Sequence, residues 1–387
     1  MLKNFLSIIC LIILVSLASC KSMKFSFAER TTTKNSEQQI ELVKNQLIVP
    51  TLLEGKEQRL MLDLGASTCV IYDTSVINNY YQRDKSSFGS ARGAGSGKIG
   101  LVQLPLSIND SLFSSHNKVF TVIDNSSMRS KDDCDPGVKF VGLYGRDLFK
   151  NNKTILLLDL QGKKLCNVTD KTLTNLLRDG YQEIKSKFNM WGTTVYVTIN
   201  GKEYPFGFDT GFNGTFTMPA DNNAGFVNEP HISYEGMAAI TVTGIEKGLT
   251  DIYQGKEISF NGTKLTSTIT VSSTIKVQNM GMAFMKGFNW IVDYKHKKIY
   301  SKRLTTEESL EMKFAYNYVP KILNNKLIVV LRKSGMTDYD IGDEIISVNG
   351  EAVDDHNKCE LLQVLIKNSD WKTLNVKTQQ GDLGKAR

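Results

Sequence analysis

The chain has 387 residues, 41% of them hydrophobic and 22% charged, with a formal net charge of +7. That length holds two or three domains, and 30 glycines with only 7 prolines exclude a fibrous or low-complexity protein. The lysines are scattered rather than gathered into a basic stripe, so nucleic acid is not an expected partner.

At the N-terminus Lys3 precedes an apolar run from Phe5 to Leu17, shorter than the roughly 20 residues of a membrane-spanning helix. A charged start followed by such a run is the layout of a secretion signal. It ends in Leu17-Ala18-Ser19-Cys20, which resembles a bacterial lipoprotein cleavage box; a plain signal peptide with an incidental cysteine is the alternative. The resemblance implies that residues 1–19 are removed and that Cys20 carries the lipid. The expected location is then the bacterial cell envelope, outside the cytoplasm, with the membrane reached through the anchor. Residues 20–38 are polar and rich in Ser, Thr and Lys, and read as a tether.

Cys69, Cys134, Cys166 and Cys359 remain. An oxidising compartment permits disulfides, but the sequence does not choose among the three pairings of four cysteines. No Cys-x-x-Cys pair occurs, and His116, His231, His296 and His356 make no metal-binding spacing. No metal and no other cofactor is expected.

From Ile40 onward short apolar runs alternate with Gly, Asn and Asp, the pattern of an antiparallel β domain. Around Thr169 to Phe188 the pattern changes: Leu173, Leu176, Leu177 and Tyr181 fall at near-helical spacing, which predicts a linking helix over 169–188. Strand patterning resumes at Thr193 to Ile199, then the hairpin signal Asn200-Gly201, then Tyr204 to Phe208.

This second stretch repeats the first. "IVPTLLEGKEQRLMLDLGAS" parallels "VYVTINGKEYPFGFDTGFNG": a strand, a Gly-Lys-Glu turn and a second strand deliver Asp-x-Gly, at Asp63 and again at Asp209. Each copy closes alike, "GLYGRDLF…ILLLDLQGKKL" against "NMGMAFM…WIVDYKHKKIY". The boundaries follow: half 1 at 39–168, the linking helix, and half 2 at 189–305. A third unit at 310–387 carries Gly342-Asp343-Glu344-Ile345-Ile346-Ser347-Val348-Asn349-Gly350, then a leucine-bearing helix and a strand from Thr373 to Thr378.

The two Asp-x-Gly loops resemble those of the pepsin/retropepsin aspartic peptidases, and the segment from Gly342 to Gly350 resembles PDZ domains. The resemblance implies a mainly β protein: duplicated retropepsin-like barrel domains in one chain, then a PDZ-like α+β domain. It implies Asp63 and Asp209 as the catalytic pair, supported by Gly65, Ala66 and Ser67 in one loop and Thr210 and Gly211 in the other. Gly145 and Gly281 stand at the family's apolar-apolar-Gly steps. Gly93, Gly95 and Gly97 in "SARGAGSGKIG" stand where a flap hairpin belongs. It further implies a protein or peptide substrate, and a single chain with both copies needs no second copy, so a monomer is expected. Two carboxylates about 3 Å apart share one proton, so one serves as base and the other as acid.

Two departures stand out. Leu64 occupies a place where the family has Thr or Ser, and Asn213-Gly214 replaces a small continuation after Gly211. Both leave open a catalytically inactive peptide-binding lipoprotein as the alternative to an endopeptidase. Other motifs fail: "GAGSGK" lacks the strand–loop–helix context of a phosphate loop, no Gly-x-Ser-x-Gly elbow exists, and the acidic patch from Lys131 to Asp135 reads as a solvated loop. The PDZ-like unit either captures a peptide C-terminus by strand addition, with Phe314 to Asn317 as its carboxylate loop, or packs as a brace.

Overall fold

The computed structural model describes residues 29–92, 98–123, 134, 139–190, 192–222, 225, 228–241, 244–304, 310–312, 316–368 and 371–380. Cys20, Gly93, Gly95, Gly97, Phe314 and Ala315 lie outside the described residues, as do residues 1–19. The protein is mainly β, built on three large sheets.

In the first sheet, strand Lys56–Asp63 lies between an antiparallel neighbour, Gln46–Leu53, and a parallel one, Gly142–Gly145. The parallel strand pairs in turn with Val70–Ile71. The same arrangement recurs downstream. Lys202–Phe208 lies between antiparallel Thr193–Ile199 and parallel Asn279–Met280, which pairs with Phe216–Pro219. Asn200 and Gly201 both take positive φ, 51° and 75°, the geometry of the tight turn that Asn-Gly favours. Side chains alternate across each strand. Leu60, Leu62, Phe206 and Phe208 enter the main core, whereas Met61 joins a separate cluster on the other face.

A six-stranded sheet joins the halves. At its centre Ile155–Asp159 runs antiparallel to Phe288–Asp293, with Ile155 opposite Asp293 and Leu158 opposite Trp290. Each centre strand is the one that closes its half of the sequence repeat.

Two expectations are corrected here. The tether does not run to Gln38: Thr31–Thr33 pairs with Phe113–Val122, and Glu37–Gln39 forms the outer strand of the joining sheet. Backbone pairing needs no apolar side chains, and Glu29 is held by the buried Lys118 ammonium at 2.7 Å. The linking helix does not run to 188. It spans Asp170–Arg178, with the Thr169 hydroxyl accepting from the Thr172 N–H at 3.2 Å. Gly180 at φ 96° then turns the chain into strands Gln182–Ile184 and Ser186–Phe188.

The C-terminal unit has its own core of Tyr318, Leu327, Val329, Ile345, Val348, Leu361, Leu362, Leu365 and Trp371. Its helix is Lys358–Lys367, and its last strand is Val376–Gln379. It is nevertheless joined to both halves. Strand Lys326–Lys333 extends the sheet of half 2 by pairing with Ile232–Thr241, Glu235 opposite Arg332. Ahead of it, Leu310 is buried in the main core and the Met312 N–H donates to Thr268 Oγ1 at 3.0 Å.

On the other side Cys134 is disulfide-bonded to Cys359 across 225 residues of chain, while Cys69 and Cys166 are free. A bridge closing so long a loop restricts the unfolded chain, worth about 2–4 kcal/mol. Cys359→Ser is therefore expected to lower the melting temperature by several degrees. Reductant should do the same to the native chain and nothing further to the variant; identical melts for both proteins would refute the bridge.

Candidate active site

Each aspartate stands where a strand leaves its sheet. By alternation Asp63 shares the face of Met61, and Asp209 the face of Gly207, so both carboxyls turn away from the main core. The two loops then meet. A Cβ added to Gly65 would lie 2.6 Å from Asp209 Oδ1, and one added to Gly211 would lie 2.5 Å from Asp63 Cγ. Each glycine thus packs on the opposite aspartate, and no side chain fits at either place. The two carboxyls come near enough to share a proton between them.

The loops hold their own aspartates from below. Asp63 Oδ1 accepts from the Ala66 N–H at 2.8 Å, and Asp209 Oδ1 from the Gly211 N–H at 3.0 Å. Thr210, fully buried, reaches across: its hydroxyl accepts from the Leu64 N–H and donates to the Leu62 carbonyl, both at 2.9 Å. Leu64 carries no hydroxyl to return these bonds and packs in the main core instead. Ser67 is exposed. Gly145 and Gly281 sit behind the loops, where a Cβ would strike the backbone of Thr68 in one case and of Phe212 and Gly214 in the other. The Gly281 N–H donates to the Thr215 carbonyl at 2.7 Å, which fixes the second loop.

Leu64→Thr exchanges apolar burial of about 1 kcal/mol for cross-loop hydrogen bonds of similar worth. The expected result is at most a few degrees lost in melting temperature; a fall of many degrees would make Leu64 a committed core residue.

The surroundings set the two acids apart. Burial pushes the Asp209 carboxyl well above the usual carboxylate range, and the neighbouring Asp63 charge pushes it further. Burial also raises Asp63, but the Ala66 and Gly65 N–H groups, the bond from Asp209 and the Arg146 charge oppose it. Asp209 is therefore the partner that keeps the proton and Asp63 the one that loses it first.

Arg146 escaped the sequence reading. The residue is only 2% exposed; Nη1 donates to the Gly65 carbonyl at 2.6 Å while its backbone N–H donates to the Ala66 carbonyl at 3.2 Å. The charge lies directly beneath the Asp63 loop. The adjacent Asp147 pairs with buried Lys118 at 2.6 Å. The available signal was a charged pair, Arg146-Asp147, directly after an apolar strand. Asn279 was missed too: its Nδ2 donates to Asp209 Oδ2 at 2.5 Å, and a polar residue at an apolar-apolar-Gly step was the clue.

This geometry can take a proton from water with one carboxyl and deliver one with the other. Among the described residues no group of three or more His, Cys, Asp or Glu side chains could hold a metal ion. A cavity of about 1230 Å³ on half 1, lined among others by Glu41, Arg59, Asp110 and Lys139, includes neither aspartate.

No family model matches the chain, and no curated protein matches it. Among solved structures it is similar to the crystal structure of basic 7S globulin from soybean, with a TM-score of 0.39 and 8% identity. That match covers 70% of this chain and 95% of the other. A likeness this weak carries no argument about activity. No helix among the described residues is long and apolar enough to cross a membrane.

Proposed function

We propose that this protein is an aspartic endopeptidase of retropepsin-like build, its two halves each supplying one aspartate and its C-terminal PDZ-like unit positioning protein substrates. The observation that carries the reading is the reciprocal packing of Gly65 on Asp209 and of Gly211 on Asp63. A structural aspartate needs no such partner, and pressing two half-buried acids against each other is costly unless the pair is used. Asp63, ionised, takes a proton from the attacking water. Asp209, protonated, donates to the carbonyl oxygen as the tetrahedral gem-diol forms; when its C–N bond breaks, the amine leaves with the proton that Asp63 took from water, and a gem-diol hydroxyl returns a proton to Asp209.

The envelope location rests on the cleavage box at Cys20, and the Cys134–Cys359 disulfide fits an oxidising compartment. The strand and helix order of the C-terminal unit, around a core of its own, supports the PDZ-like reading.

Leu64 favours a second reading, a peptide-binding lipoprotein without turnover. One experiment separates the two. The chain from Cys20 onward is incubated with an unfolded protein across a pH series, with and without a statine-type inhibitor. Cleavage that the inhibitor stops supports the peptidase; inhibitor binding without cleavage at any pH supports the binder.

A further inference from the structure

Besides Leu64 against Thr210, the halves differ at a second pair of positions beside the dyad. Half 1 sets Leu143 opposite Met61, and both join an apolar cluster with Ile48, Val70, Tyr72 and Ile123. Half 2 sets Asn279 opposite Gly207. The missing side chain at 207 makes room, since a Cβ there would stand 2.7 Å from Asn279 Oδ1. Asn279 fills that room with its carboxamide and donates from Nδ2 to Asp209 Oδ2. The other oxygen, Oδ1, accepts from the Gly211 N–H. Donors on both oxygens fix the carboxyl plane of Asp209.

We propose that Asn279 is the positioning residue of the dyad, holding the Asp209 carboxyl against Asp63 and biasing it toward its charged form. This rests on the peptidase reading of the pair. Asn279 acts through Asp209 alone. A donor aimed at a carboxylate stabilises the charged form, so Asn279 offsets part of what burial and the Asp63 charge do to Asp209. Among the described residues, the charged and titratable groups facing the pair are the two aspartates, Arg146 from the segment after Gly145, and Tyr72 beyond the first loop. Half 1 needs no counterpart to Asn279, because Arg146 serves Asp63.

The test uses the full-length chain in detergent micelles with two replacements of similar shape. Asn279→Leu installs the apolar type that half 1 has at Leu143. Asn279→Asp keeps the shape, removes the donor and adds a like charge. Two readouts are taken: the pH profile of peptide cleavage, and the titration of the aspartate carboxyls by carbon NMR on selectively labelled protein, which needs no turnover. Loss of a charge-assisted bond should move the upper limb of the profile and the Asp209 step of the dyad titration to higher pH by about one to two units in Asn279→Leu, and further in Asn279→Asp, with the lower limb, which belongs to Asp63, little changed. The expected kinetic signature is a fall in kcat with KM little changed. If neither variant folds, Gly207→Ala displaces the carboxamide from the opposite side and should give the same direction of shift. Unmoved profiles and titrations in folded variants would overturn the proposal. A wild-type chain that never cleaves, with a dyad titration that still moves in Asn279→Leu, would overturn the peptidase reading and leave the role of Asn279 standing.

Discussion

Asp209→Asn is expected to lower cleavage by several orders of magnitude and, at neutral pH, to raise the melting temperature. The loss follows from roles that an amide cannot fill, since it neither shares nor donates a proton on the reaction coordinate. The gain follows from linkage. Asp209 is held above the ordinary carboxylate range in the folded chain, so the fold binds that proton more tightly than the unfolded chain does. The corresponding stability is fully present below the unfolded value, near about 4, and is lost as pH rises through that value toward the folded one. Above that window the native chain carries the cost of a buried shared charge, and the amide does not. Asn279 can turn its carboxamide over to accept from the new group. Melts at pH 3 and pH 7 should therefore coincide at the lower pH and separate at the higher one. Asp63→Asn should lose cleavage equally, with a smaller gain, because Ala66, Gly65 and Arg146 already favour its charged form. Measurable turnover in both variants would end the dyad assignment. Equal melting of Asp209→Asn and native chains at pH 7 would mean that the site holds no strained acid.

That arrangement trades stability for chemistry, a pattern expected of working sites. It also shows which parts of the protein the sequence could disclose. The meeting of Asp63 and Asp209 was legible because each copy kept its strand, its turn and its glycine in order, and because alternation decides which face an acid takes. Arg146 and Asn279 were not, since each acts on a group distant in the chain: Arg146 on a carbonyl 81 residues away, Asn279 on a carboxylate 70 away. The paired stretches at Thr31–Thr33 and Glu37–Gln39 were hidden for another reason. Edge strands made of Thr, Glu and Gln are held by backbone bonds, and polar side chains leave no periodic trace of such pairing. The disulfide needed coordinates, as spacing alone cannot choose among pairings.

Thr210→Val should be damaging although it leaves both aspartates and both loop glycines in place. Valine nearly matches threonine in shape, so packing in this fully buried position is preserved while the hydroxyl is lost. Two backbone groups of the opposite loop, the Leu64 N–H and the Leu62 carbonyl, then lose their partner. Each buried group left without a hydrogen bond costs about 1–3 kcal/mol, so the pair costs about 2–6 kcal/mol. The melting temperature should fall by roughly 5–15 °C. Cleavage should fall more steeply than stability. Thr210 is the side chain that ties the loop after Asp209 to the strand end that delivers Asp63, and Leu64 supplies no matching bond from the other side. Once that tie is gone, no side-chain hydrogen bond among the described residues joins the two loops apart from the carboxyls' shared proton, and a displacement of about 1 Å in such a site costs about 100-fold in rate. Thr210→Ser keeps the hydroxyl and loses only a methyl group, so it should restore most of the cleavage and a part of the stability. Should Thr210→Val melt and cleave like the native chain, the crossing hydroxyl would not be what holds the two halves in register, and Leu64 would no longer count as a departure with consequences.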